Sequence, residues 1–359
     1  MIVTLVGPLA QPEVLQALDL QGSPVDVPGT LLGGSRAGLG RTGWPVWQDG
    51  ADCLAGMAVT PTPQLMRYAQ VMGLDAHDVA GHRVMGIAGQ GDCPDPWMAD
   101  PDSDALNAEI ARQILAAGDN VDPAVLAGRL PMIGIWAASR IRAAAMPISG
   151  QGVIAKRDPD AVHTIQQHQR FHGYFAVEER RLTHALHDGG TSTRVTREGF
   201  LMGDAVVMLP WDPVRDRVLI IEQFRFAPYL RGDRQPWQLE PIAGRVDAGE
   251  TVEAAILREA REEAALQIET LLPCFNCYPS PGAVCEFLYQ FVGIADLPDQ
   301  VTGVHGLDTE AEDIRSHVMD RTRLSDLVDR GQIVNGPLAT LSLWLDARVD
   351  RLRAELAGR

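Results

Sequence analysis

The chain has 359 residues, 46% of them hydrophobic and 22% charged, which excludes wholesale disorder and gives length for two cores rather than one. The formal net charge is −16 and positive charge forms no block, which argues against an electrostatic grip on nucleic acid or on an anionic membrane. Basic residues are nearly all arginine, with Lys156 the sole lysine, so a lone arginine carries little functional signal.

The opening "MIVTLVGPLAQPEVL" lacks a basic start and has Pro8 inside its apolar run, so it does not read as a signal peptide. No run reaches the ~18 apolar residues that a membrane helix needs. The nearest, "PMIGIWAASRIRAAAM", is interrupted by Arg140 and Arg142. A cytoplasmic protein is the resulting expectation. Five cysteines in a chain this long make no disulfide framework, and the Cys274/Cys277 pair has no second pair to complete a four-thiolate zinc site. Ordinary reduced thiols are expected.

Residues 1–90 alternate short β-like runs with Gly and Pro turns, as in "IVTLVG", "WPVWQDG", "LAGMAVT" and "HRVMGIAGQG", which predicts a small β-rich domain. Within it, "PTPQLMRYAQVMGL" predicts a helix entered through Pro63, with Leu65, Met66 and Ala69 on one side. From Trp97 to Met146 the pattern is helical, and the Gly-rich stretch 148–160 reads as a linker. Beyond residue 163 strand candidates ("YFAVEERRLTHAL", "TRVTREGFLMGDAVVMLPWD", "DRVLIIEQFRF", "FLYQFVGIA") mix with a helix over 251–266 and a C-terminal helix "LATLSLWLDARVDRLRAEL". That mixture predicts an α/β or α+β layered domain. The expected division is a β-domain over 1–96, a helical connector and linker over 97–160, and a layered domain over 161–359.

The stretch "EPIAGRVDAGETVEAAILREAREEAAL" (240–266) carries the strongest chemical signal. Pro241, Gly244 and Gly249 mark a loop, and Thr251 is a natural N-cap with Glu253 in the first turn. Glu259, Glu262 and Glu263 then fall three and four residues apart on adjoining parts of one helix face. Such oxygen-rich clusters suit the hard cations Mg²⁺ or Mn²⁺. The competing reading is a solvated face on which Arg258 and Arg261 pair with the glutamates.

Written out, the pattern is Gly244, five residues, Glu250, seven residues, then Arg258-Glu259-Ala260-Arg261-Glu262-Glu263-Ala264-Ala265-Leu266. It resembles the Nudix box of hydrolases that cleave nucleoside diphosphates linked to another group. Ala265 stands where the family has glycine. The resemblance implies that Glu259, Glu263 and the Ala243 carbonyl hold metal, with Glu250 and Glu262 completing the acidic cluster and Arg258 bracing it. The flanks "EQFRF", "QPWQLEPIAG", "YPSPGAVCEF" and "GVHGLDTEAEDIRSHV" resemble the ADP-ribose pyrophosphatase branch over roughly 163–350.

That branch implies Mg²⁺-dependent hydrolysis of ADP-ribose to AMP and ribose 5-phosphate. It also implies a catalytic base at Glu310 or Glu312, a diphosphate contact at Arg225, acidic positions near the metal at Glu240 and Glu286, and a substrate turn at Pro281 and Gly282. A homodimer is expected through strands "RFHGYFAVEERRLTH", with Arg197 and Glu198 near the shared site. Met202-Gly203 stands where the family pattern has Arg-Gly. Other substrates of the same class (an ADP-sugar, NADH, a dinucleotide) and a non-catalytic ADP-ribose sensor remain alternatives; complete box glutamates favour the enzyme.

Residues 1–90 look like a γ-glutamylcyclotransferase-type barrel, with Val6-Gly7-Pro8-Leu9 at the family's Tyr-Gly-Thr-Leu turn and Met72 at the position of its acid/base glutamate. A thioether cannot shuttle a proton, so that activity is expected to be lost. The fusion resembles the tellurite-resistance B type of Nudix protein. The expected architecture is thus a small β-barrel, a helical connector and an α/β/α Nudix sandwich.

Overall fold

The computed structural model describes residues 2–34, 38–79, 81–89, 95–147, 153, 157–305 and 313–358. It forms two compact units, one of residues 1–203 with 247–249 and 282–285, the other of residues 204–246, 250–281 and 286–359.

The first unit begins with β1 (Val3–Val6), α1 (Pro12–Ala17), β2 (Gly22–Leu32), α2 (Gly40–Gly43), β3 (Val46–Val59), α3 (Pro63–Met72), β4 (Asp75–Val79) and β5 (His82–Ala88). The strands run in the order β2-β3-β1-β5-β4, and the 14-residue β3 reaches past β1 to pair with β5 as well, closing a barrel. Between β1 and α1, Gly7 takes a left-handed φ of 60°, a conformation cheap only for glycine, and turns the chain into a short 3-10 segment. α3 starts on Thr62, whose hydroxyl accepts from the Leu65 N–H, and stops at left-handed Gly73. Its inner face is Leu65, Tyr68, Ala69, Val71 and Met72. Met66, expected on that side, is instead 48% exposed, because the buried stripe follows the 65/68/69/72 spacing of a 3.6-residue turn.

α4 (Pro101–Ala116), α5 (Pro123–Ala127) and α6 (Leu130–Ala145) follow, the first two capped by Asp100 and Asp122 side chains accepting backbone N–H groups. Leu106, Ile110, Ile114, Ile133 and Ala137 join Leu5, Leu65 and Met72 in one core, so the helices share the core of the barrel. β6 (Val162–His172), β7 (Ala176–His184) and β8 (Val195–Leu201) make a separate antiparallel sheet in that order. α4 packs against β6, which groups this sheet with the first unit, so the units part at 203/204.

The second unit contains β9 (Ala205–Asp212), β10 (Arg217–Phe224), α7 (Phe226–Arg231), β11 (Trp237–Glu240), β12 (Ile242–Arg245), α8 (Val252–Ala264), β13 (Thr270–Pro273), β14 (Leu288–Ile294), β15 (Val304–His305), β16 (Ile314–Asp320), α9 (Arg321–Asp329), α10 (Gly336–Asp346) and α11 (Val349–Ala357). The run "TRVTREGFLMGDAVVMLPWD" is therefore two strands, broken where Gly203 takes φ 80°, and the C-terminal helix is likewise two. In the mixed sheet β13-β14-β9-β10-β16-β15, β9 and β14 run parallel.

Both faces of that sheet are covered, which explains the unbroken apolar runs of its central strands. Val206 and Met208 of β9 with Leu219 and Ile221 of β10 face Ala255, Ile256, Ala260 and Ala264 of α8. Val207, Leu209, Trp211, Val218 and Ile220 face the other way, onto Leu324, Leu338, Leu341, Leu345 and Leu352. The period-2 split of consecutive residues between two cores is the α/β/α sandwich. β9 and β10 touch only at the pairs Asp212–Arg217 and Trp211–Val218; beyond them β12 pairs with β9 and β11 with β10. The sheet thus splits, and β11 and β12, joined at Pro241, fill the split directly under α8.

Two positions report on stability. Ala265 ends α8 in a left-handed conformation (φ 50°, ψ 31°), with the Leu266 N–H returning to the Ala260 carbonyl at 2.9 Å. An L-residue there costs roughly 1–2 kcal/mol, partly offset by glycine's larger unfolded-state entropy. Ala265→Gly should therefore stabilise the protein by about 0.5–1 kcal/mol in denaturant unfolding. Asp212, buried at the β9 end, accepts N–H groups of Val214, Arg215 and Leu297 and the Arg215 guanidinium. Burial pushes its carboxyl up, but these hydrogen bonds win and hold it below the usual range. Its stabilisation is present above the unfolded-state pKa of about 4 and is lost as pH falls through the lower folded-state value. Asp212→Asn should cost about 1–3 kcal/mol at pH 7, with the deficit narrowing below about pH 4 in pH-dependent unfolding.

Candidate active site

α8 is held over β12 by its sequence. Thr251 accepts from the Ala254 N–H at 3.2 Å and fixes the first turn, while Ala255, Ile256, Ala260 and Ala264 sit at helical spacing in the core. The opposite flank carries the charged residues, and Arg258 organises them. Its Nε and Nη2 donate to Glu250 at 3.2 Å each, and Nη1 donates to Glu259 at 2.7 Å and Glu262 at 3.0 Å. Nη2 also donates to the Arg245 carbonyl at 3.0 Å, tying helix to strand. Burial pulls the guanidinium pKa down, but the Glu250 and Glu259 hydrogen bonds and charges outweigh it and raise the value above its ordinary level. One permanent cation therefore neutralises part of a three-carboxylate cluster.

Glu263, 3% exposed, points to the strand and accepts the Ala243 N–H through Oε2 at 3.0 Å. Glu259 lies against Gly244: a Cβ built on that glycine would coincide with the Glu259 carboxylate. Gly244 is thus needed for close approach, since its φ is not left-handed. The loop-marker reading of Gly244 missed this role; a glycine within a strand is the signal that could have found it.

The other expected residues are distributed as follows. Arg225 donates twice to Oε2 of buried Glu240, at 2.9 and 2.6 Å, and Arg245 pairs with Glu286 at 3.1 Å. The Arg245–Glu286 pairing escaped the sequence reading, because the partners lie on different segments with no spacing rule. Pro281 and Gly282 form an exposed turn. Arg197 and Glu198 lie on β8 of the first unit, opposite Arg180 and Glu179 of β7. Glu310 and Glu312 lie outside the described residues. Cys274 and Cys277 are free, and burial pushes the Cys274 thiol up to about 12 and Cys277 upward, as expected of inert thiols.

The donor chemistry fits a hard divalent cation: Glu259 and Glu263 one turn apart, the backbone of Ala243 and Gly244 beneath them, and Glu250 and Glu262 alongside. Among the described residues no three His, Cys, Asp or Glu side chains converge closely enough to hold a metal. Arg258 is the cation among these carboxylates here.

Residues 202–337 match the NUDIX domain family. An ADP-ribose pyrophosphatase of Escherichia coli (strain K12) is 39% identical over 196 residues, which span 55% of this chain and 93% of that one. An ADP-ribose pyrophosphatase of Haemophilus influenzae is 38% identical over 51% of this chain and 85% of its own length. A GDP-mannose pyrophosphatase of Yersinia pestis is 33% identical over 35% of this chain and 64% of its own.

Gly244→Ala tests the packing of Glu259 on the strand. Displacing a packed carboxylate should destabilise the protein by about 1–3 kcal/mol, read by denaturant unfolding. An unchanged midpoint would show that Glu259 has room to move aside.

Proposed function

The chain belongs to the Nudix family and is a Nudix pyrophosphatase, and from that premise we propose that it hydrolyses ADP-ribose to AMP and ribose 5-phosphate with Mg²⁺, for which Mn²⁺ substitutes. The observation that carries this reading is the α8–β12 cluster, in which Arg258 and Gly244 set the box glutamates against one strand, together with relatives named ADP-ribose pyrophosphatase that this chain spans almost completely.

In this reading Glu259, Glu263, Glu250 and the Ala243 carbonyl hold the metal, and Glu262 completes the cluster. Bound there, a divalent cation supplies charge neutralisation for the pyrophosphate and lowers the pKa of a bound water. That role resolves the conflict between a chain of net charge −16 and an anionic substrate. Arg258 keeps Glu259 and Glu262 oriented while they are unscreened by metal. Arg225, held by Glu240, is positioned to offer its charge to a phosphate. Glu310 or Glu312 is the proposed base, and Pro281, Gly282, Arg197 and Glu198 the proposed substrate contacts, the last two within a homodimer. No helix among the described residues is long and apolar enough to cross a membrane.

The domain assignment proposed with it gives catalysis to residues 161–359 and a connector to 97–160. Residues 1–96 are assigned to a γ-glutamylcyclotransferase-like barrel without that activity, as in the tellurite-resistance B type. Met72, at the position of the acid/base group, is fully buried in the apolar core, which supports the loss. A second substrate, a GDP- or ADP-sugar, is favoured by the similarity to GDP-mannose pyrophosphatase.

The test is AMP release from ADP-ribose with and without Mg²⁺. Glu263→Gln keeps an oxygen acceptor for the Ala243 N–H but removes the charge, so the fold should survive while kcat falls by roughly 100-fold or more. Metal-independent release, or full activity in the variant, would overturn the assignment. Release from GDP-mannose but not ADP-ribose would select the second substrate.

A further inference from the structure

Within the first unit, α4, α5, α6, β6 and β8 enclose a small cavity remote in sequence from the Nudix box. Its polar lining is Gln113, Arg129, Trp136 and Gln169, with Leu126 and Ile133 among its apolar walls. Its free room is about 10 Å³, enough for one water-sized atom or ion. Arg129 Nε and Trp136 Nε1 are both buried without a hydrogen-bond partner, and among the described residues Arg129 has no ion-pair partner.

Arg129 is half-buried, and its Nε is the part cut off from water; a buried donor left without an acceptor is costly to keep. Burial pulls the Arg129 pKa down. The carboxylate bonded to the cavity-lining Gln113 is engaged elsewhere: Glu109 accepts from Arg112, Arg140 and Gln113. His172 on β6, an imidazole, can supply no negative charge, and burial first and then the Arg129 charge lower its pKa toward the neutral form. Arg129 also stands at the N-cap of the 16-residue α6, where the helix dipole adds positive potential. Positive charge and two unused N–H donors thus line one atom-sized space.

We propose that this cavity binds one small anion, a chloride or a single oxygen of a carboxylate or phosphate, between Arg129 and Trp136. The anion would tie the helical layer to the β6–β8 sheet. Gln113 Oε1 is also buried without a partner. A hydrogenphosphate, which carries a proton, satisfies it as well, whereas chloride and acetate do not. The order of effect among the anions therefore identifies the natural class.

Thermal unfolding of the full-length chain, with chloride, acetate or phosphate titrated separately, provides the test. At least one anion should raise the wild-type Tm saturably, by about 3–8 °C at saturation. Arg129→Met should lose the saturable part and keep only the linear response common to all salts, while Arg129→Lys, which retains a charge, should keep some of it. Should Arg129→Met not fold, Trp136→Phe removes one donor and is expected to weaken the half-saturating concentration several-fold. A wild type with no saturable response to any of the three anions would mean that the space holds water alone. That result overturns the proposal, as does an equal response in Arg129→Met, or in Trp136→Phe where that variant stands in.

Discussion

Arg258 has more to hold than any other side chain of the candidate site, because it stands where several carboxylates and a strand carbonyl must share space. Without a cation among them, Glu250, Glu259 and Glu262 would repel one another across a partly buried surface. A guanidinium suits the place better than an ammonium, since its planar fork reaches Glu250 through two nitrogens while a third engages Glu259 and Glu262. The bond from Nη2 to the Arg245 carbonyl converts a charge cluster into a joint between α8 and β12. The surrounding fold serves that joint: the split between β9 and β10 admits β12, and the buried alanines of α8 let the helix lie close to the sheet.

The same arrangement explains how an acidic protein can handle acidic substrates. The carboxylates are concentrated on α8 and the loop before it and partly neutralised from within, which in the proposed reading leaves a divalent cation to mediate between them and an anionic substrate. Arg225 shows the complementary device, a positive side chain fixed in place by buried Glu240. Arg258, Glu259, Glu262, Glu263, Arg225 and Glu240 each have a partner that sets their geometry, the kind of preorganisation that electrostatic catalysis exploits.

Much of this was legible in the sequence because the physics is local. Thr251 as N-cap and the 259/262/263 spacing depend on the periodicity of one helix, and the structure follows them. Ala265 was legible through the family resemblance, since it stands at the glycine that closes the box helix, and it takes the left-handed conformation. What escaped the sequence depends on contacts between distant segments. Gly203 breaks a run that reads as one strand, the Arg245–Glu286 pair joins separate segments, and Gly244 owes its importance to a glutamate 15 positions away in "GRVDAGETVEAAILRE". Met66 failed for a smaller reason, a shift of one position around a helix whose apolar stripe was drawn too wide.

Buried carboxylates find donors in both units, but one arginine of the first unit keeps a buried donor unused. In the second, three buried carboxylates are matched within the unit: Asp212 by backbone N–H groups and Arg215, Glu240 by Arg225, Glu263 by the Ala243 N–H. In the first, Glu178 is matched by Arg180 and Gln167, and Glu109 is oversupplied, with two arginines and a glutamine, while among the described residues Arg129 has no ion-pair partner. Moving one arginine's worth of charge from Glu109 would not help Arg129, because Arg140 is already fixed at 2.6 Å on the carboxylate and over the Trp136 ring. With Glu109 so occupied, Arg129 Nε and Trp136 Nε1 remain two donors on one small space, and the proposed anion would satisfy both without rearranging the helices.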